Sequence, residues 1–151
     1  MGSEPREVEK VRERFGDALQ DVVYFRGEDT LVVSAEKIVE ICRFLRHDPE
    51  MAFDFLVDVT GIHYLEREYS YEVIYHLLSL ARRRRLRLRT RLGEEGEIDT
   101  VTTVWRGADW HEREAYDLVG VRFRGHPDLR RILMPDDYQG HPLRKDFPLE
   151  Q

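Results

Sequence analysis

Cysteine is almost missing from this chain of 151 residues: Cys42 stands alone. One cysteine makes no intrachain disulfide, no cysteine-rich zinc site and no iron–sulfur cluster, and such scarcity fits a reducing compartment. Long apolar runs are missing as well. No stretch approaches the ~20 residues that a membrane span needs. The opening Met1-Gly-Ser-Glu-Pro-Arg-Glu lacks the apolar stretch of a signal peptide. The chain is therefore expected to be soluble, or to reach a membrane only through a partner. There is no Gly-x-Gly-x-x-Gly and no Gly-Lys-Ser/Thr loop, so no nucleotide site is signalled. None of Ser3, Ser34, Ser70 or Ser79 sits in Gly-x-Ser-x-Gly, and no His-Glu-x-x-His, His-x-His or EF-hand pattern occurs. Internal repeats and low-complexity linkers are absent.

What is present is a folded, highly charged domain. Hydrophobic residues make up 41% and charged residues 36%, enough for a core beneath a charged surface. The length suits one ordinary domain. A net charge of −6 argues against general nucleic-acid binding, whose affinity comes mostly from phosphate contacts.

The segment Glu4 to Phe15 reads as a helix, with Ser3 as N-cap, Pro5 near its start and Gly16 past its end. Val8, Val11 and Phe15 share one face. Residues 21–25 and 30–33 read as a hairpin around Arg26-Gly-Glu-Asp29. Ser34 is placed to cap a helix from Ala35 to about His47, in which Ile38, Ile41, Cys42 and Leu45 form one stripe and which Asp48-Pro49 ends. Phe53 to Thr60 alternates, with Phe53, Phe55, Val57 and Val59 on one face and Asp54 and Asp58 on the other. With 69–80 and 86–92 it forms an antiparallel meander turning at 66–68 and 81–85. Residues 93–97 read as a loop. Thr100 or Thr102 caps a helical turn around Trp105. Asp109 starts a helix from Trp110 to Val119, with Asp109 and Glu112 as its capping box and Gly120 as its stop. Beyond Phe123 periodicity ends, and Pro127, Pro135, Pro142 and Pro148 point to an extended wrap. The fold class is α+β: a mostly antiparallel sheet with helices packed on it, then an extended Pro-rich segment. Residues 1–125 form the body and 126–151 a wrap within the same domain.

Three groups of residues invite a chemical reading. Arg83, Arg85, Arg87, Arg89 and Arg91 are spaced by two and share one strand face. They suit a solvated face or a charge-guarded edge, a docking face for an acidic partner, or, least well, nucleic acid. Internal ion pairs at Arg85, Arg87 and Arg89 would remove the motive for a docking face. His126 and His141 each precede a proline, which reads as repeated turn architecture with imidazole bonded to backbone, and not as metal ligation. Glu112, Arg113, Glu114 and Asp117 concentrate charge on the last helix. Arg113 and Asp117 stand at i, i+4 and are expected to pair. The carboxylates are expected to tie the helix to Arg130-Arg131 and Arg144-Lys145-Asp146 through a half-buried ion-pair network. A hydrolase using Glu112, Glu114 or Asp117 with His126 is the alternative of another class, and it requires a cleft.

The run Glu112-Arg-Glu-Ala-Tyr-Asp-Leu-Val-Gly-Val121, then Phe123, then Gly125-His-Pro-Asp-Leu-Arg-Arg-Ile-Leu133, then Gly140-His-Pro-Leu-Arg-Lys-Asp-Phe-Pro-Leu149 resembles a known signature. It is similar to that of the C subunit, the small hydrophilic peripheral-arm subunit, of the proton-pumping NADH–quinone oxidoreductase, respiratory complex I. Asp58-Val-Thr60 and Tyr75-His-Leu-Leu-Ser79 add weaker similarity, so the resemblance spans about residues 20–149. The resemblance implies a structural and assembly subunit of the peripheral arm, on the cytoplasmic face of the membrane and without catalytic residues. It implies no cofactor in this chain, with FMN, iron–sulfur clusters and quinone on partner subunits. The implied partners are the hydrogenase-like large subunit that builds the quinone pocket and the adjacent iron–sulfur subunit. The residues carried over for signature and partner packing are Glu112, Arg113, Glu114, Asp117, His126, Pro127, Arg131, Gly140, His141, Pro142, Arg144, Lys145 and Asp146. Membrane-bound hydrogenase-type complexes contain a similar subunit and remain the alternative within this class.

Overall fold

A computed structural model of the chain describes residues 4–25, 27–65, 67–135 and 137–145. The first helix, α1 (Arg6–Phe15), follows Pro5, whose carbonyl accepts from the N–H groups of Val8 and Glu9, and Gly16 closes it. Val8 and Val11 are buried as its apolar face requires, while Phe15 is half-buried. The expected cap at Ser3 lies outside the described residues.

Strands β1 (Leu19–Phe25) and β2 (Glu28–Val33) form the expected hairpin. A single 3-10 turn, Ala35–Lys37, leads into α2 (Ile38–His47), and the Ser34 side chain makes no capping bond. The turn supplies its own first hydrogen bond, Lys37 N–H to Ser34 carbonyl at 3.1 Å, which takes the donor three residues on that a Ser34 hydroxyl would otherwise cap. Ile38, Ile41, Cys42 and Leu45 are fully buried. Burial pushes the Cys42 thiol far above its ordinary range, with the Glu112 carboxyl adding to the shift, so it behaves as a small core residue.

Strands β3 (Phe55–His63), β4 (Tyr71–Ser79) and β5 (Arg84–Leu92) form the antiparallel meander. One sheet results, in the order β1-β2-β5-β4-β3. Its central seam departs from a wholly antiparallel arrangement: β2 and β5 run parallel, from Asp29 opposite Leu86 to Val32 opposite Arg89. Hairpin and meander each follow from local turns. Their edge-to-edge joining is a long-range pairing that no local pattern encodes.

The alternation expected from Phe53 to Val59 also fails in part. The pairing register slips between Leu56 and Asp58, so that Leu56 and Val59 lie opposite the buried Leu77 and Tyr75. This bulge turns Phe55 and Val57 outward, where they are about half exposed, and Phe53 is buried but precedes the strand. An extra residue in one strand shifts the side-chain period by one, which explains the inversion.

Starting at the last residue of the 93–97 loop, where no strand is expected, lies β6 (Glu97–Asp99), paired in parallel with β7 (Arg122–Arg124). Three-residue strands are too short to show a period. Between them runs α3 (Ala108–Val119), which packs on β3. The turn before it is as expected: Thr100 Oγ1 accepts from Thr102 N–H, and Trp105 N–H donates to the Val101 carbonyl. Residues 125–135 and 137–145 contain no helix or strand and lie along α3.

Helices α1, α2 and α3 share one core with the sheet, through Val8, Ile41 and Ala115 of the helices and Leu31, Tyr75 and Leu88 of the strands. On the opposite face the arginines of β5 alternate outward as expected, with Leu86, Leu88, Thr90 and Leu92 buried. Arg87 reaches Glu28 at 2.9 Å, and Arg89 and Arg91 flank the buried Glu72 at 3.4 and 3.9 Å.

Candidate functional site

Helix α3 and the segment after it collect almost every signature residue. Asp117 stands at the centre and is fully buried. Its Oδ1 accepts from Arg131 Nε at 2.6 Å. Its Oδ2 accepts the backbone N–H groups of Ile132, Leu133 and Met134 at 3.0, 2.6 and 2.8 Å. Burial alone would raise this carboxyl. The N–H group of Met134, the guanidinium of Arg131 and the N–H groups of Leu133 and Ile132 together outweigh that and hold it below its ordinary value. The expected partner, Arg113, is elsewhere: its Nε makes a long contact of 3.4 Å to the Arg130 carbonyl, and its guanidinium lies 5.8 Å from the Trp110 ring centre. Helical spacing allowed the i, i+4 pair, but Asp117 faces inward and Arg113 is only half-buried, so the tertiary donors win.

Arg131 acts as a bracket. Beyond Asp117 Oδ1 it donates to the Asp117 carbonyl at 3.2 Å, the Gly140 carbonyl at 2.6 Å and the Tyr138 carbonyl at 3.0 Å. It thereby joins the helix to two points of the following segment. The last carbonyls of α3 are satisfied in turn: Tyr116 by Gly120 N–H at 2.8 Å, Asp117 by Arg131 and by His141 Nδ1 at 2.9 Å, Leu118 by Leu143 N–H at 2.6 Å. Gly120 stops the helix at φ +93, and a Cβ there would meet the His141 ring at 3.0 Å.

The two His-Pro turns clamp opposite ends of α3, each through backbone as the sequence suggested. His126 accepts the Asp128 N–H on Nδ1 at 2.9 Å and donates from Nε2 to the Asp109 carbonyl at 3.1 Å, while His141 holds the Asp117 carbonyl. Pro127 and Pro142 sit in the turns that follow. Lys145 enters through its backbone N–H, which donates to His63 Nδ1 at 3.0 Å, and the Arg144 guanidinium lies 5.8 Å from the Tyr71 ring centre. Asp146 lies outside the described residues.

Glu112 departs from expectation. The helix begins at Ala108 with Gly107 as N-cap and no side-chain cap bond, so the Asp109/Glu112 capping box does not form. Glu112 instead points into the core, fully buried, where it accepts from the Thr100 hydroxyl and from the Val101 N–H at 2.8 Å. Burial raises its carboxyl to about 7, against the lowering by Thr100 and Val101, with Asp109 adding a further rise. The nearest cation-capable group, His126 Nε2, is 4.0 Å away and itself buried. Glu112 thus fastens the 100–105 turn to α3 and joins no ion pair with Arg130, Arg144 or Lys145. Glu114 forms no ion pair among the described residues, and Arg130 pairs with Asp128 at 2.8 Å. The expected network therefore reduces to Asp117 and Arg131.

A hydrolytic centre needs carboxylates converging on an open cleft. Glu112 is sealed from solvent and the Asp117 carboxylate is surrounded by four donors, so neither can meet a substrate. Among the described residues no group of three or more His, Cys, Asp or Glu is placed to hold a metal ion. No helix among them is long and apolar enough to cross a membrane. Thr100, His63 and the carbonyls of Tyr138 and Leu118 belong to this site and escape a reading by sequence. Only Thr100 has a signal there, as the cap of the next turn.

A C subunit of the NADH-quinone oxidoreductase of Rhizobium etli, designated C 2, is 50% identical over 139 residues, covering 92% of this chain and 74% of its own. The corresponding C subunit from Geobacter sulfurreducens is 48% identical over 152 residues, covering 99% and 93%. Among solved structures, the trypsin-resistant fragment (1-134) of Nqo5 superposes with a TM-score of 0.68 at 33% identity, covering 82% of this chain and 99% of the fragment. A chain of the archaeal membrane-bound sulfane sulfur reductase, a respiratory membrane complex, shares the fold at a TM-score of 0.79 and 23% identity, covering 94% of this chain and 84% of its own. The family described as "Respiratory-chain NADH dehydrogenase, 30 Kd subunit" matches residues 31–151, and with these relatives it shows that the chain belongs to that family.

Proposed function

We propose that this chain is a non-catalytic scaffold subunit of the peripheral arm of a proton-translocating NADH–quinone oxidoreductase. It packs there against the large subunit that builds the quinone pocket and beside the adjacent iron–sulfur subunit, on the cytoplasmic face of the membrane. FMN, iron–sulfur clusters and quinone are carried by partners, and this chain holds none of them. One observation carries the reading: the polar side chains central to the signature are used internally. Asp117, Arg131, His126 and His141 bond backbone groups of α3 and of the segment after it and Glu112 is sealed, so these side chains of the signature shape a surface instead of meeting a substrate. An extended segment held in advance loses less entropy on docking.

The test is recovery of the tagged chain from native membranes in mild detergent. The expected result is a large assembly with iron–sulfur absorbance and NADH-linked quinone reduction. Complexes carrying Glu112→Gln, a neutral side chain that can still meet Thr100 and the Val101 N–H, should form and turn over normally per assembled particle. Recovery of the bare chain, or a turnover loss per particle in Glu112→Gln, refutes the scaffold reading. Hydrogen-linked reduction in place of NADH-linked reduction assigns the chain to a hydrogenase-type complex.

A further inference from the structure

The open face of the sheet is laid out in rows across β3, β4 and β5, and the rows differ. In one, Asp58, His76 and Arg87 lie side by side and are mutually satisfied: His76 Nδ1 meets Asp58 at 2.5 Å, and Arg87 donates to His76 at 3.2 Å and to Glu28 at 2.9 Å. In the neighbouring row, Phe55, Leu78 and Arg85 lie side by side. Here Phe55 is 50% exposed, and the Arg85 side chain has no hydrogen bond or ion pair among the described residues. The bulge adds Val57, 46% exposed, beside Phe55. The turn between β4 and β5 adds Leu80, 60% exposed, and Arg83, whose guanidinium is likewise unpaired among the described residues.

This end is also held rigid. Arg82 and Arg84 point the other way and converge on the buried Glu7 of α1, at 2.6 and 2.7 Å, and Arg82 donates to the Met51 carbonyl at 3.1 Å. Between these anchors Arg83 adopts φ +54, a conformation that side-chain-bearing residues rarely take. Alternate arginines are thus locked inward and presented outward. A cleft of about 160 Å³ opens beside Arg85, bordered by Val57 and by the mutually paired Glu28 with Arg87 and Asp58 with His76, whose acids are thereby already matched. Exposed apolar groups, two unpaired guanidiniums on an acidic chain, a strained turn and a cleft coincide at one place, on the face of the sheet away from α1, α2 and α3.

We propose that Phe55, Val57, Leu80, Arg83 and Arg85 form a docking surface for an extended acidic segment of another subunit. An aliphatic side chain of that segment enters the cleft beside Val57, and its carboxylates pair with Arg83 and Arg85. The inference rests on the reading that the chain works inside a multi-subunit assembly, and it specifies one contact and its chemistry. Charge complementarity selects the occupant: a net charge of −6 disfavours acidic partners elsewhere on the molecule, so a local pair of free arginines chooses both place and orientation.

The experiment places a photoreactive p-benzoylphenylalanine at position 80 of the tagged chain in the assembled complex and identifies the cross-linked peptide. The expected product is one peptide of another subunit, with at least two acidic residues beside an aliphatic one. The double variant Arg83→Glu/Arg85→Glu should lower the cross-link yield about tenfold, and Arg83→Lys/Arg85→Lys should retain most of it. Circular dichroism of the purified chain shows that either variant is folded. Assembly with no cross-link overturns the docking surface and leaves the scaffold reading standing. So does a cross-link to a second copy of this chain, to lipid, to nucleic acid or to a peptide without acids, and so does an unchanged yield in the Glu variant. Recovery of no assembly overturns both.

Discussion

Replacing Asp117 by asparagine removes one charge and almost no volume, so its effect isolates the carboxylate. Oδ2 accepts three backbone N–H groups and Oδ1 accepts the Arg131 guanidinium. Hydrogen bonds to a charged group contribute about 1.5–3 kcal/mol each, but they share one site and do not add. Asparagine keeps one acceptor oxygen and offers an NH₂ where the other stood. It therefore loses either the N–H nest or the arginine, and whichever it loses is left buried and unmatched. The expected cost is about 3–5 kcal/mol, as for other buried pairs from which one member is removed. The cost should fall locally. Asp117 and Arg131 hold residues 131–134 and 138–141, whereas the sheet core is built from other residues, so this segment should release before the sheet unfolds. Limited trypsin digestion of Asp117→Asn should cut at Arg130, Arg131 and Arg144 while the meander stays protected. Amide exchange at Ile132, Leu133 and Met134 should accelerate by about two orders of magnitude or more, following that free energy. If the variant is within about 0.5 kcal/mol of the parent, the range of ordinary surface substitutions, and those three amides stay protected, the carboxylate does not hold the segment.

The remaining predictions concern the same helix. Glu112 is raised in the folded chain from an ordinary value of 4.5 to about 7, so its contribution is full below 4.5 and is lost as pH rises through 7. Urea unfolding should show stability falling by roughly 3 kcal/mol across that window, at about 1.36 kcal/mol per pH unit, and Glu112→Gln should flatten the fall. Gly120→Ala forces a side chain to φ +93 and against His141 at 3.0 Å; a loss of about 1–2 kcal/mol is expected in a thermal melt. Arg113→Ala should cost less than about 1 kcal/mol, because its partners are a long backbone contact and a ring face. A loss comparable to that of Arg131→Ala would contradict the placement of the buried pair.

Where the cause is local, the chain's own order of residues makes the outcome legible. The stops at Asp48-Pro49 and Gly120, the buried stripe of α2, the meander, the alternating arginines and the His126 ring bonded to the Asp128 N–H each follow from neighbours in the chain. A proline, a glycine, a spacing of two or of 3.6, or a ring beside a turn is sufficient for each. The candidate site is legible in this way as a set of residues and not as a set of contacts.

The contacts required the fold. Helical spacing offered Arg113 to Asp117, and packing gave Asp117 to Arg131 and three N–H groups that come from 14 to 17 residues away. A capping-box spacing offered Glu112 to its own helix, and the core sent it to Thr100. The parallel seam of β2 and β5 joins positions more than fifty residues apart, and one residue of slip at Val57 turned Phe55 and Val57 of an apparently buried stripe outward. A sequence determines what each short segment prefers, because turn chemistry and periodicity act over a few residues. Which donor satisfies a buried carboxylate, and which face of a strand meets water, is decided only when distant segments compete for the same place, since the free energy at stake there exceeds any local preference.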